Sequence, residues 1–565
     1  MSQQNNVFPE TEANVFHARS LPGLPWRTPF TPYSHIAETL QQRAAATPDK
    51  NFLTYYDETG RAAAFTYAEF AAAVEEIARL LSSQGLTPGD RIATLLTNDP
   101  QTVLLYFGAW SAGITVVPIN LGEDAERIDY ILQNCSARIA FTYADQHARL
   151  TAQKAHFPDL ISIVNVESGV QNALAADTPR RATAPAEVTL ETECLIVYTS
   201  GTTGPPKGVV LDHGNLLADA RSIAEWHQFG PEDRAMCVLP IHHVNGTVVT
   251  LMTPVYSGGS VVLHRRFRAQ TFWQTLAEEG CTWCSVVPTI LAFLSERGED
   301  LSAYDLSRFR HIICGAGPLT VETARRFHAQ FGVRVVHGYG LSETTCYSCF
   351  LPFDLNEADF QHWMFDCGFP SIGCPISANV MSIHDSAGNP LPPDTRGEIV
   401  IRGHNVMRYY FQRPEVNRDT FAHGWFRSGD EGFYRKGLDG RDYYFITGRL
   451  KELIIRGGVN YSPFDIDEVL NAIPGVKAAM AVGFENDFYG EEIGAYVQKD
   501  PGSSLSEEAI LRACREKLPF AKCPKVVVFG ETFPVTSTGK YQRNRLKSLF
   551  LEWKAVQFRE KKAGD

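Results

Sequence analysis

The chain has 565 residues, is 44% hydrophobic and 21% charged, and carries a formal net charge of −12. These values fit an ordinary globular protein with room for more than one domain. They argue against a general nucleic-acid binder and leave open a local basic pocket for a small anion. The opening MSQQNNVFPETEANVF lacks the basic and apolar regions of an export signal, so the twelve cysteines are expected as reduced thiols in a cytoplasmic protein.

The first periodic stretch starts at Thr66, which with Glu69 forms a capping box. Phe70, Val74, Ile77 and Leu81 then recur at helical spacing, and Gly85 closes the helix. Pro88-Gly89-Asp90 turns the chain into the strand RIATLL. A second helix follows Pro100 and ends near Gly113, with the strand ITVVPI behind it. The most apolar stretch, Leu104–Ile119, carries Gly108, Gly113 and Pro118, and reads as helix, turn and strand rather than a membrane span. A third unit runs from Asp124 through Ile128, Ile131 and Leu132 to RIAFTY. This order predicts layered α/β architecture.

Residues 173–187, rich in Ala, Thr and Pro, are expected as a loop, followed by the strand CLIVYTS. Cys281 and Cys284 share a CxxC spacing, as do Cys346 and Cys349. Cys284 heads a strand-like run, where residues three apart face opposite sides, which is poor geometry for chelation; they read as core or pocket residues. Beyond Thr344 strands predominate, in ANVMSIHD, GEIVIRG and DYYFITG. After about Leu450 a smaller α+β unit begins, with helices over 465–472 and 507–518 and strands AAMAVGF, EIGAYV and KVVVFG. The expected organisation is a large N-terminal domain over 1–448 of layered α/β subdomains plus a β-rich subdomain, a connection at 449–452, and a small α+β domain over 453–565.

YTSGTTGPPKG, at Tyr198–Gly208, gathers hydroxyls, glycines and Lys207 in eleven residues. It is not a Walker A loop, because Lys207 is followed by Gly208 and Pro205-Pro206 would disrupt a helix start at Gly204. The run VVLDH behind it is strand-like, so the loop joins two strands. Glycines let backbone N–H groups approach an anion, and the hydroxyls and Lys207 add donors. Composition alone fits both a phosphate cradle and a flexible hairpin.

The full string resembles the phosphate-binding signature of the adenylate-forming superfamily of acyl-CoA synthetases, adenylation domains and luciferases. Further motifs follow in the family's order: LPIHHVNG, CGAGPL, HGYGLSETT, GWFRSGD, ITGRLKELI, RGGVN and PVTSTGKYQRNRL. The resemblance extends from about residue 65 to 546. It implies an acid–thiol ligase using ATP, Mg²⁺ and CoA, with the cofactor-binding loop at Thr199, Ser200, Gly201, Thr202, Thr203, Gly204 and Lys207. It places Gly315, Ala316, Gly338, Tyr339 and Gly340 around adenine, the glycines allowing close backbone approach and Tyr339 an aromatic face. Ser342 would reach the α-phosphate, Glu343 would hold Mg²⁺, and Asp430 and Arg449 would read the ribose. His243 would gate the acyl pocket. Lys540 would be the catalytic lysine of adenylation, Lys451 the hinge, and Gly457 and Gly458 the lining of a pantetheine tunnel after the C-terminal domain rotates.

The resemblance also bears on the acid. The segment at His242–Gly246 lacks the aspartate that the amino-acid branch uses for a substrate amine. Beside phenylpropanoid-type ligases, Asn245, Cys346 and Tyr347 fall in the pocket wall, Tyr347 shortening it and Asn245 making it more polar. A small or medium, polar carboxylic acid is implied. Two alternatives stand beside CoA ligation: loading of a separate carrier protein, and a non-catalytic nucleotide-binding homologue, against which the retained Lys207, Glu343, Asp430, Arg449 and Lys540 weigh. The segment 353–373 is longer than usual in the family, and its Phe360, Trp363 and Phe365 either line the acyl site or pack a surface loop.

Overall fold

The computed structural model describes residues 6–176, 187–199, 205–535 and 541–559. The helix Tyr67–Ser83 begins on the capping box, with Thr66 Oγ1 accepting from Glu69 N and the Glu69 carboxylate accepting from Thr66 N. Its Phe70, Val74, Ile77 and Leu81 are buried as one stripe. That stripe packs on the helix Pro100–Ser111, where a Cβ at Gly108 would lie 2.5 Å from Ile77 Cγ2. Glycine inside this helix is thus what lets the two axes close up.

Among the described residues two large sheets form the N-terminal domain. In one, strands Glu193–Thr199, Thr115–Pro118, Arg91–Leu95, Ile139–Thr142 and Ser162–Asn165 run parallel, and Lys207–Asp212 and Tyr409–Tyr410 extend the edge antiparallel. In the other, Val335–Tyr339, His311–Cys314, Trp283–Val286, Arg234–Cys237, Ser260–His264 and Asn51–Tyr56 are parallel neighbours. One apolar core joins both sheets, through Leu53 and Val261 of one and Ile92 and Leu195 of the other, with Phe70, Phe107 and Leu217 on the helices between. A four-stranded antiparallel sheet of Asn379–His384, Gly397–Gly403, Phe426–Lys436 and Asp442–Arg449 supplies the β-rich part.

The small C-terminal domain carries a separate five-stranded sheet with its own apolar cluster around Ile466, Leu470, Ala495 and Ile510. It docks through Arg396, whose guanidinium meets Asp465 at 2.8 and 3.2 Å, through Glu468, which accepts from Val321 N at 3.1 Å, and through Lys477 to Glu296 at 2.7 Å.

One expectation changes, and one alternative left open is narrowed. The loop expected at 173–187 begins inside the helix Val170–Ala176, where Val170 and Leu174 are buried; residues 177–186 lie outside the described ones. In the long segment, Phe360, Trp363 and Phe365 are buried in the core. Trp363 stacks on Tyr443 at 3.9 Å, and Phe360 and Phe365 pack about His328. Packing against neighbouring elements, rather than an acyl-site lid, accounts for these rings.

Candidate active site

Parallel strands His311–Cys314 and Val335–Tyr339 deliver the CGAGPL and GYGLSETT loops side by side at their carboxyl ends, where open α/β sheets bind ligands. Ala316 (φ 62°) and Thr345 (φ 64°) hold left-handed backbone without being glycine, a strained geometry common around functional sites. Tyr339 is buried and its hydroxyl donates to Asp430 Oδ2 at 2.7 Å. Asp430 and Arg449 are cross-strand partners, with Arg449 Nε 3.1 Å from Asp430 Oδ1. Burial pushes the Asp430 carboxyl up, and the Arg449 guanidinium and Tyr339 hydroxyl oppose that shift. Tyr339, Asp430 and Arg449 are therefore assembled as one group.

A second group forms at the hairpin arm. Thr199 and Lys207 are register partners at its two ends. Lys207 Nζ lies 4.2 Å above the Tyr410 ring, and the Tyr410 hydroxyl donates to Glu343 Oε1 at 2.6 Å. Met407 N donates to the Glu343 carbonyl at 2.8 Å. Burial lowers the Lys207 ammonium, Glu343 raises it, and Lys451, Arg449 and Arg413 lower it further. Lys207, Lys451, Arg449 and Arg413 thus gather positive charge around Glu343 within an acidic chain. Residues Ser200, Gly201, Thr202, Thr203, Gly204 and Lys540 lie outside the described residues. Ser342 opens the short turn Ser342–Thr344 that carries Glu343.

The LPIHHVNG motif is fixed by Asn98, whose Nδ2 donates to the carbonyls of Leu239 and His264 at 2.9 and 3.0 Å and whose Oδ1 accepts from Ile241 N at 2.8 Å. The His242 and His243 rings follow, 4.5 Å apart, with His242 pushed down to about 4 by burial. Asn245 opens a π-helical segment, Asn245–Met252. Its Nδ2 donates to Tyr347 Oη at 3.2 Å and its Oδ1 accepts from Ser285 Oγ at 2.8 Å. Asn245 and Tyr347 are buried together, with Cys346 beside them.

The glycines have another reason than approach to a base. A Cβ at Gly315 would lie 2.6 Å from Tyr347 Oη, one at Gly338 would lie 2.5 Å from Phe350, and one at Gly340 would lie 1.9 Å from the Cys346 carbonyl oxygen. The protein's own Cys346–Phe350 segment fills that space, so side chains are excluded there before any ligand arrives. Gly457 and Gly458 stand apart from these groups, on a turn between strands Ile454–Arg456 and Val459–Tyr461, with positive φ at both and Gly457 N donating to Tyr489 O at 2.8 Å. Lys451 is exposed in the turn Leu450–Glu452.

Sequence reasoning missed Tyr410, Ser285, Asn98, Asp219 and Asn405. Tyr410 sits in RYYFQRPE, and only its pairing with Val209 on the hairpin strand brings it to Glu343. Among the described residues no group of three His, Cys, Asp or Glu is placed to hold a metal. A lone buried Glu343 with one oxygen engaged by Tyr410 leaves the other oxygen for a cation. This fits Mg²⁺ shared with phosphate oxygens and water.

Residues 40–411 match the model of the AMP-binding enzyme family, and residues 465–540 match the C-terminal domain of AMP-binding enzymes. The chain is 35% identical to a sulfoacetate–CoA ligase of Cupriavidus necator, over 91% of this chain and 97% of that one. It is 30% identical to an oxalate–CoA ligase of Arabidopsis thaliana, over 92% and 99%. Among solved structures, ATP-bound MatB from Rhodopseudomonas palustris superposes with a TM-score of 0.80 at 26% identity, covering 91% of this chain and 99% of that one. With matching models for both domains, the chain belongs to the AMP-binding enzyme family.

Proposed function

We propose that this protein is an AMP-forming acid–CoA ligase that activates a small, polar carboxylic acid. Like the CoA ligases of this family, it works with ATP, Mg²⁺ and CoA. The observation that carries the choice of acid is the buried, hydrogen-bonded set of Tyr347, Asn245 and Ser285, which we read as the polar end of the acyl pocket. A long alkyl chain would have to displace the Tyr347 ring or leave these hydrogen-bonding groups unpaired, and both are costly. The relative at 35% identity, a sulfoacetate–CoA ligase, supports the same reading.

In the first half-reaction a carboxylate oxygen attacks the α-phosphorus of ATP and pyrophosphate leaves. Two anions must approach each other, so positive charge has to be in place beforehand. Lys207, brought to Glu343 across the Tyr410 ring, meets the departing phosphates, and the loop of Ser200–Gly204 adds donors. Mg²⁺ bound at Glu343 would offset the charge on the polyphosphate oxygens. Asp430 accepts from the ribose hydroxyls while Arg449 and Tyr339 hold its carboxylate in line. Ser342 serves the α-phosphate, His243 the acyl entrance, and Lys540 bridges the acid and α-phosphate.

In the second half-reaction a thiol attacks the acyl-adenylate carbonyl and AMP leaves. A turn at 449–452 with exposed Lys451 suits a hinge, about which the C-terminal domain exchanges Lys540 for Gly457 and Gly458. Arg396, Glu468 and Lys477 are contacts that this motion must break. The test is a screen of carboxylic acids by ATP–pyrophosphate exchange, followed by mass detection of acyl-CoA. Exchange with short polar acids and formation of their CoA thioesters is expected. Exchange without any thioester from free CoA would refute the CoA step and leave a carrier-protein thiol as the acceptor.

A further inference from the structure

Asp219 lies on the helix His213–His227 with none of its surface exposed. Among the described residues no cation faces it: its hydrogen-bond partners are Asn405 Nδ2 at 3.1 Å and Tyr347 N at 3.4 Å. Burial accordingly pushes its carboxyl well above the carboxylate range. Placing a carboxyl in a core without a counter-charge is unfavourable, so the position needs a reason beyond packing.

The reason lies in the strand register. The antiparallel ladder that follows Tyr339 pairs Gly338 with Phe350 and Tyr339 with Cys349, and Ser348 N still donates to Tyr339 O at 2.8 Å. Tyr347 is the next residue, beyond the last of these pairings, so its peptide groups need other partners. Asp219 accepts from its N–H, and Asn405 Nδ2 donates to its carbonyl at 2.9 Å while also bonding Asp219. Asn405 is anchored in turn, its carbonyl accepting from Thr345 Oγ1 at 2.6 Å, at the left-handed turn just after Glu343. With the peptide gripped on both sides, the Tyr347 ring is set against Gly315 and Phe350 and its hydroxyl meets Asn245.

We propose that Asp219, acting with Asn405 through the Tyr347 peptide, is a positioning residue that sets the depth of the acyl pocket and so the length of acid accepted. This rests on the reading of Tyr347 as the closed end of that pocket. Asp219 is buried behind the Tyr347 peptide and acts through it rather than on nucleotide or acid. Its loss should change which acid is used more than how ATP is used.

The test is pyrophosphate release by wild type, Asp219→Ala, Asp219→Asn, Tyr347→Ala and Asp219→Ala/Tyr347→Ala, with oxalate, malonate and sulfoacetate set against hexanoate and octanoate. For Asp219→Ala the ratio of kcat/KM for the best short acid to that for octanoate should fall about tenfold or more, the scale of pocket-size discrimination, with the KM for ATP within about twofold of wild type. Asp219→Asn keeps one acceptor and should lie between. The double variant should resemble Tyr347→Ala, because both changes act on one ring. If Asp219→Ala does not fold, the intermediate ratio of Asp219→Asn carries the test. A uniform fall for all acids, or effects of the two single changes on the ratio that multiply, would overturn the proposal. Absence of acid-dependent pyrophosphate release from the wild type would instead remove the ligase reading itself.

Discussion

Tyr410→Phe removes one oxygen and nothing else. In the intact protein that oxygen donates at 2.6 Å to Glu343 Oε1, with both residues buried. A hydrogen bond to a charged group is worth about 1.5–3 kcal/mol, or roughly 10–150-fold at about 1.4 kcal/mol per decade. The ring that holds Lys207 at 4.2 Å is retained, so the substitution separates orientation of the carboxylate from support of the ammonium. Steady-state pyrophosphate release, measured against ATP and Mg²⁺ together, should show kcat/KM for ATP down by about 10–100-fold and saturation at higher Mg²⁺. Tyr410→Leu should lose more, since the ammonium–ring attraction of about 0.5–2 kcal/mol goes as well. If Tyr410→Phe keeps wild-type Mg²⁺ dependence and kcat/KM within about twofold, Tyr410 does not orient Glu343 for the nucleotide.

Other outcomes follow from the same geometry. Asp430→Asn leaves Arg449 without its carboxylate and should raise the KM for ATP by about 10–100-fold in the same assay, while the acid preference stays put. Lys540→Ala should abolish adenylation yet leave thioester formation from supplied acyl-adenylate, as read by single-turnover kinetics. Arg396→Ala removes the Arg396–Asp465 pair between the domains, worth roughly 0.2–1 kcal/mol, so the ratio of adenylation to thioester rates should shift by about 1.4- to fivefold. Burial holds His213 and His311 down to about 3 and His337 down to about 4. Below the ordinary pKa of 6.5 the unfolded chain therefore binds more protons than the native one. Stability should fall by about 1.4 kcal/mol per pH unit for each such ring between pH 6.5 and its native value, checked by denaturant unfolding at pH 7 and pH 5.

Local signals carried much of the fold. The capping box at Thr66, the stripe of Phe70 to Leu81 and the turn at Pro88-Gly89-Asp90 are each complete within a few residues, and all lie where their spacing places them. Residues 170–176 read as loop at their C-terminal end because alanines and a following polar run give no apolar period, yet Val170 and Leu174 have a core to enter. In the candidate site, residues carried by contiguous motifs are the ones sequence could propose and the structure brings into two groups: Lys207 with Glu343, and Asp430 with Arg449. Tyr410, Ser285, Asp219 and Asn405 were not legible, because each matters only through a partner 40 to 186 residues away. Gly315, Gly338 and Gly340 show the converse. Their presence was legible, but the neighbour that requires them is Cys346–Phe350, which sheet register brings back onto them.

The most direct measurement is the ratio of kcat/KM in acyl-CoA formation for the best of sulfoacetate, oxalate and malonate to that for octanoate, at saturating ATP, Mg²⁺ and CoA. A pocket ended by Tyr347, Asn245 and Ser285 predicts a ratio above about one hundred, since several methylenes and a displaced ring must be accommodated at once. Turnover of octanoate equal to or faster than that of every short polar acid would contradict it.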